Sequence, residues 1–147
     1  MAELYVADTN AIIAAFPRIF NRPLILSKKT LRLVLRAFHK DYSVRLSIPS
    51  VVFIELYDKW CRRPEASRAI YYEVFVTARE SDVVEIRELD AEIVEIMTSF
   101  DDSIVNLESH DKIALAAAVA LRAPLITSDR KIRRYVAMTN VIPAVLY

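Results

Sequence analysis

Short apolar runs alternate along this chain with longer stretches in which apolar residues return every three or four positions, and the breaks between them fall at Asp, Asn, Ser and Pro. Leu4-Tyr5-Val6-Ala7 is a continuous apolar run of the kind a strand buried on both faces carries, and it stops at Asp8-Thr9-Asn10. Residues 11–16 then read as a helix ended by Pro17. Residues 24–26 make a short apolar piece, extended or helical. Beyond it Leu31, Val34, Leu35 and Phe38 fall at helical spacing, with Lys28, Arg32 and Arg36 as a basic stripe on another face. Residues 45–48 form a second strand, and Pro49-Ser50 starts a helix whose expected buried face is Phe53, Leu56, Tyr57 and Trp60, with Glu55 near its beginning.

The alternation continues. Residues 65–79 read as helix and residues 83–86 as a third strand, after which Asp90 caps a helix running to Phe100. An acidic loop spans 101–108. Ser109 opens a helix through Leu121 whose alanines allow close packing on a sheet, Pro124 ends it, and residues 125–127 make a buried strand followed, one residue on, by Asp129. Residues 141–146 give a last strand that Pro143 confines to an edge or a late position. Strands alternating with helices imply parallel strands and right-handed crossovers. The expectation is a single α/β domain over 1–147, a three-layer α/β/α sandwich with a central, mainly parallel sheet of four to five strands.

Composition narrows the chemistry. A chain of 147 residues, 54% of them hydrophobic, is long enough for one full core. Its 20 basic and 19 acidic side chains nearly cancel, so total charge argues neither for nor against a polyanionic partner. There is no glycine, which excludes the P-loop and the dinucleotide fingerprint and leaves positive-φ turns to residues such as Asn21, Asn106 and Asn140. Cys61 stands alone and nothing resembles a secretory leader, so a reducing, cytoplasmic setting is expected. The longest apolar run, residues 113–121, is too short to span a bilayer, and no membrane role is expected.

In open parallel sheets the ligand crevice lies beyond the carboxyl ends of the strands. Asp8 and Asp129 each follow a strand, Asp111 sits in the first turn of a helix entering from the same side, and Glu55 lies near the start of a helix after another strand. Taken singly, each acid has an ordinary explanation. Asp8 suits a helix cap, Glu55 a surface pair with Lys59, Asp111 a helix dipole and Asp129 an Asx turn. Taken together they are four like charges converging on one crevice, an arrangement that is costly unless a cation neutralises it. All-oxygen ligation suits Mg²⁺ or Mn²⁺, which polarises a phosphoryl oxygen and activates water, so phosphodiester hydrolysis is the matching chemistry. The hydroxyls of Thr9, Thr127 and Ser128 are placed to orient a carboxylate or a bound water. His110 reads as an exposed residue of the acidic loop. Arg130, Lys131, Arg133 and Arg134 adjoin Asp129 and are favoured over the 28–36 stripe as phosphate holders. The spacing of Phe53, Tyr57 and Trp60 favours core or dimer packing over base stacking. A haloacid-dehalogenase-type phosphatase also begins with an Asp after its first strand, but it wants a second Asp where this chain has Asn10.

Val6-Ala7-Asp8-Thr9-Asn10, residues 48–50 through Glu55, His110-Asp111-Lys112-Ile113-Ala114 and Ile126-Thr127-Ser128-Asp129 together resemble the PIN domain family across nearly the whole chain. The resemblance implies a Mg²⁺- or Mn²⁺-dependent endoribonuclease with Asp8, Glu55, Asp111 and Asp129 as catalytic and metal-holding acids, and Asn10 beside the metal or its water. It also implies a set of partners: RNA, a second copy in a homodimer, and either a protein antitoxin or an RNA-processing partner. The alternative is a non-catalytic PIN-like module that binds RNA or protein.

Overall fold

The structure is a computed structural model that describes residues 2–22 and 25–147. Five strands, Glu3–Ala7 (β1), Val44–Pro49 (β2), Val84–Arg87 (β3), Leu125–Ile126 (β4) and Val145–Leu146 (β5), form one sheet in the spatial order β3-β2-β1-β4-β5. Every neighbouring pair is parallel. The central strand β1 pairs with β2 on one side and β4 on the other, Val6 standing opposite both Ser47 and Leu125.

The helices are Thr9–Ala15 (α1), Pro17–Phe20 (α2), Lys28–Phe38 (α3), Val51–Glu55 (α4), Pro64–Ala69 (α5), Thr77–Glu80 (α6), Ala91–Met97 (α7), Ser109–Leu121 (α8) and Arg130–Thr139 (α9). Leu56–Trp60 prolongs α4 as a π-helical stretch, and Ile70–Val76 joins α5 to α6 in the same wider winding. Because successive strand residues point to opposite faces, the sheet builds two cores. Ala7, Leu46, Ile48 and Ile126 meet Ile12, Val34, Val52, Leu56, Ile70 and Val74 on one side. Val6 and Leu125 meet Ile93, Leu115, Ile132 and Tyr135 on the other. Each such side chain contributes about 1.5–3 kcal/mol by leaving water, and the result is the expected three-layer sandwich.

The alanines of α8 do what their size allows. Ala114, Ala116, Ala117 and Ala118 are all fully buried, packing the helix close to β1, β2 and β4.

Several expectations are corrected. Pro17 ends α1 but also occupies the first position of α2, where its missing N–H costs nothing. Helix α7 stops at Met97, short of Phe100. Arg122, in a left-handed conformation, terminates α8 before Pro124 is reached. Tyr57 is exposed rather than buried, because the π-helical winding that begins at Leu56 has more residues per turn and rotates it off the face of Phe53 and Leu56. Positive φ is found at Asn21 and Asn140, and also at Lys40 and Arg122, but not at Asn106. The segment 130–139, read in the sequence only as a basic cluster, is the helix α9. Of the short apolar piece at 24–26, Leu24 lies outside the described residues, while Leu26 is buried in an irregular segment.

Candidate active site

Asp8 is the first residue beyond β1 and caps α1, its Oδ1 accepting the backbone N–H of Thr9 at 2.8 Å. Its Oδ2 accepts the hydroxyl of Thr127 at 2.8 Å. The cap is therefore real, but it uses only one of the two oxygens. At 4% exposure the carboxyl is pushed up to about 6, first by burial and then by the nearby charges of Glu55 and Asp111, against the pull of its two hydrogen bonds.

Thr127 ties the first acid to the last. While its hydroxyl donates to Asp8, the same oxygen accepts the backbone N–H of Asp129 at 3.1 Å. Asp129 in turn caps α9, its Oδ1 accepting the N–H of Ile132 at 2.9 Å. Glu55 closes α4, and its Oε2 accepts the hydroxyl of Thr9 at 2.9 Å. The pair with Lys59 suggested by spacing is also present, at 3.7 Å and largely exposed on the lysine side, so it contributes little.

Asp111 occupies the first turn of α8 and is 3% exposed. Its Oδ2 accepts the N–H of Glu108 at 3.3 Å while the Glu108 side chain accepts the N–H of Asp111, a reciprocal capping box. Burial, followed by repulsion from Asp129, pushes Asp111 up to about 6, and His110 pulls in the opposite direction. The four acids are thus close enough to feel one another: Asp8 with Glu55 and Asp111, and Asp111 with Asp129.

His110 is not in the acidic loop but in the first turn of α8, and it points inward. Its Nε2 lies 3.2 Å from Asp111 Oδ1 and 3.7 Å from Glu55 Oε2, with Nδ1 3.5 Å from Glu108 Oε2. Its place beside an acid in a helix's opening turn was the available signal. Asn10 and Ser128 lie at the same sheet edge, but neither makes a side-chain hydrogen bond among the described residues.

The donor set fits a hard divalent cation. Two carboxyls are held at raised pKa by burial and by neighbouring negative charge, and among the described residues no lysine or arginine pairs with Asp8, Asp111 or Asp129. A divalent ion would supply the missing counter-charge. Glu108, His110 and Asp111 also present ligand atoms within 4.8 Å of one another. Glu108 is exposed, so the oxygen set sharing the buried Asp111 is the better match for Mg²⁺ or Mn²⁺.

The two basic clusters fare differently. Arg36 is engaged by Asp41 at 2.7 Å, which divides the 28–36 stripe, whereas Lys28 and Arg32 are exposed. Arg130, Arg133 and Arg134 line a groove completed by Val145 and Tyr147, just past Asp129, while Lys131 is exposed elsewhere on α9. No helix of the described residues is long and apolar enough to cross a membrane.

A family model described as PIN domain matches residues 5–137. No curated protein matches the chain. Among solved structures, the chain is similar to VapBC2 from Rickettsia felis bound to a DNA fragment from their promoter, at 17% identity and a TM-score of 0.61, covering 98% of this chain and 97% of that one. It is also similar to a toxin-antitoxin complex from Klebsiella pneumoniae, at 19% identity and a TM-score of 0.57, covering 99% and 97%. At such identities the likeness is one of fold.

Proposed function

This chain belongs to the PIN domain family, and from that premise we propose that it is a Mg²⁺- or Mn²⁺-dependent endoribonuclease, acting in the cytoplasm as a toxin restrained by a protein antitoxin. The observation that carries the reading is the state of Asp8. A residue needed only as a helix cap would use one oxygen and stay at the surface. Asp8 is buried, has its oxygens held by Thr9 and by the distant Thr127, and feels other carboxylates with no lysine or arginine paired to it among the described residues.

Asp8, Asp111 and Asp129 would hold the ion, with Glu55 as a further ligand or as the group that orients the attacking water. The chemistry a bound divalent ion supplies there is Lewis-acid polarisation of a phosphoryl oxygen and a lowered pKa for water. The protein's own part is positioning. Thr127 fixes Asp8 relative to Asp129, and Thr9 fixes Glu55 relative to Asp8. Asn10 and Ser128, free of other side-chain partners at the sheet edge, complete the polar rim, and Arg130, Lys131, Arg133 and Arg134 provide positive charge for the RNA backbone. The fold likeness to two toxin-antitoxin assemblies supports the antitoxin as partner. Exposed Ile54, Tyr57, Tyr71 and Tyr72 give a surface suited to a protein partner or to a second copy of the chain.

The test is cleavage of structured and unstructured RNAs by the purified protein with Mn²⁺, with Mg²⁺ and with EDTA, using Asp8→Asn as the contamination control. Metal-dependent cutting absent from the variant establishes the nuclease. Saturable RNA binding with no cutting by either protein replaces it with a binding module.

A further inference from the structure

We infer that the groove between α9 and β5 is a nucleotide subsite in which Tyr147 stacks on an unpaired base of the RNA while Arg130 and Arg134 hold flanking phosphates. The inference rests on the ribonuclease reading and adds to it a base-stacking position beside the acidic cluster.

The groove has a volume of about 530 Å³, within the range of small-ligand sites. Three guanidiniums line it, and among the described residues none is paired with a carboxylate. The guanidinium of Arg133 lies 3.4 Å from the centre of the Tyr147 ring, which holds the ring from one side. Tyr147 is nevertheless 52% exposed and lines the groove. The platform is well anchored. Thr30 donates its hydroxyl to the Tyr147 carbonyl at 3.1 Å, and the preceding carbonyl, that of Leu146, accepts the N–H of Thr127 at 3.0 Å.

That second bond also places the groove. Thr127 is the residue whose hydroxyl holds Asp8 and steadies Asp129, and Arg130 directly follows Asp129. The groove is thus joined to the acidic cluster through Thr127 and through Arg130, which lines it. A base can lie flat on a protein ring only when it is not stacked inside a helix, so a duplex cannot use the platform.

The test measures binding of a short mixed-sequence single-stranded oligoribonucleotide in EDTA, with 2-aminopurine placed at each position in turn. The expected result is quenching at one position, about tenfold weaker binding and loss of that quench in Tyr147→Ala, and retention of both in Tyr147→Phe. Annealing the complement should remove the advantage that Tyr147 gives. Unchanged affinity and quenching in Tyr147→Ala overturn the subsite, and if the unmodified protein still cuts RNA with Mn²⁺, the nuclease reading survives that failure. Tyr147-dependent binding without metal-dependent cutting keeps the stacking groove and removes the nuclease.

Discussion

The hydroxyl of Thr127 donates to Asp8 across 119 positions of sequence, at 2.8 Å, in a fully buried setting. Because the same oxygen receives the N–H of Asp129, one side chain sets the spacing of two acids. Thr127→Val keeps the shape and removes the hydroxyl. It is expected to lower activity about 10- to 100-fold and to raise the Mn²⁺ concentration needed for half-maximal cutting, with Thr127→Ser restoring both. A Thr127→Val variant with unchanged metal requirement would show that the contact is only structural.

Glu55 has two partners, and they make opposite predictions. If its contact with Thr9 matters for positioning, Thr9→Val lowers kcat several-fold while Lys59→Ala leaves it within experimental scatter, since that lysine is largely solvated. Steady-state cleavage by the two variants decides between them. Equal losses would return Glu55 to the role of a surface ion-pair partner.

Metal-free stability should fall as pH rises. The carboxyl of Asp8 moves from 3.8 in a solvated chain to about 6 in the folded protein, so folding binds its proton more tightly. That contribution is complete below about 3.8 and is lost as pH rises through about 6; Asp111, also raised to about 6, acts in the same direction. Above pH 7 the loss for Asp8 is at most about 3 kcal/mol. In EDTA the protein is expected to melt higher at pH 5 than at pH 8, with Asp8→Asn flattening the difference and gaining a few degrees at pH 8. At that pH, Mn²⁺ should raise the melting temperature of the parent more than that of the variant. Identical pH slopes for the two proteins would contradict the raised pKa of the buried Asp8 carboxyl.

The alanine face of α8 leaves no room for growth. Ala117 is fully buried, and Ala117→Leu is expected to cost about 1–3 kcal/mol or more through overpacking. Chemical denaturation measures it. A neutral result would mean that α8 stands further from the sheet than described.

Much of this was legible from pattern because two periodicities alternate cleanly. β1, β2, β3 and β4 were marked by apolar runs ending at polar residues, and three of the four acids directly follow a strand or open a helix, positions that topology alone directs to one edge. What was missed has local physical causes. Helix α9 carries its apolar signal in Ile132, Tyr135 and Val136, which four interspersed cations obscure. Tyr57 was misplaced because a π-helical turn changes the period on which the inference depends. Lys40 and Arg122 take left-handed conformations that glycine or asparagine would ordinarily supply, since the closing hydrogen bonds of α3 and α8 require them there. His110 gave no periodic signal, and its approach to Glu55 depends on a contact between α4 and α8 that no local rule fixes.

β1 is the middle of the sheet, yet it comes first in the sequence. One flank is closed by β2, but the other waits for β4, and the hydroxyl that secures Asp8 arrives just after it. During synthesis the chain thus carries an exposed strand edge and an unsecured acid until β4 and Thr127 have emerged. Order of synthesis therefore delays the acidic cluster: its first acid is made early, but the strand and the hydroxyl that fix it are made more than a hundred residues later.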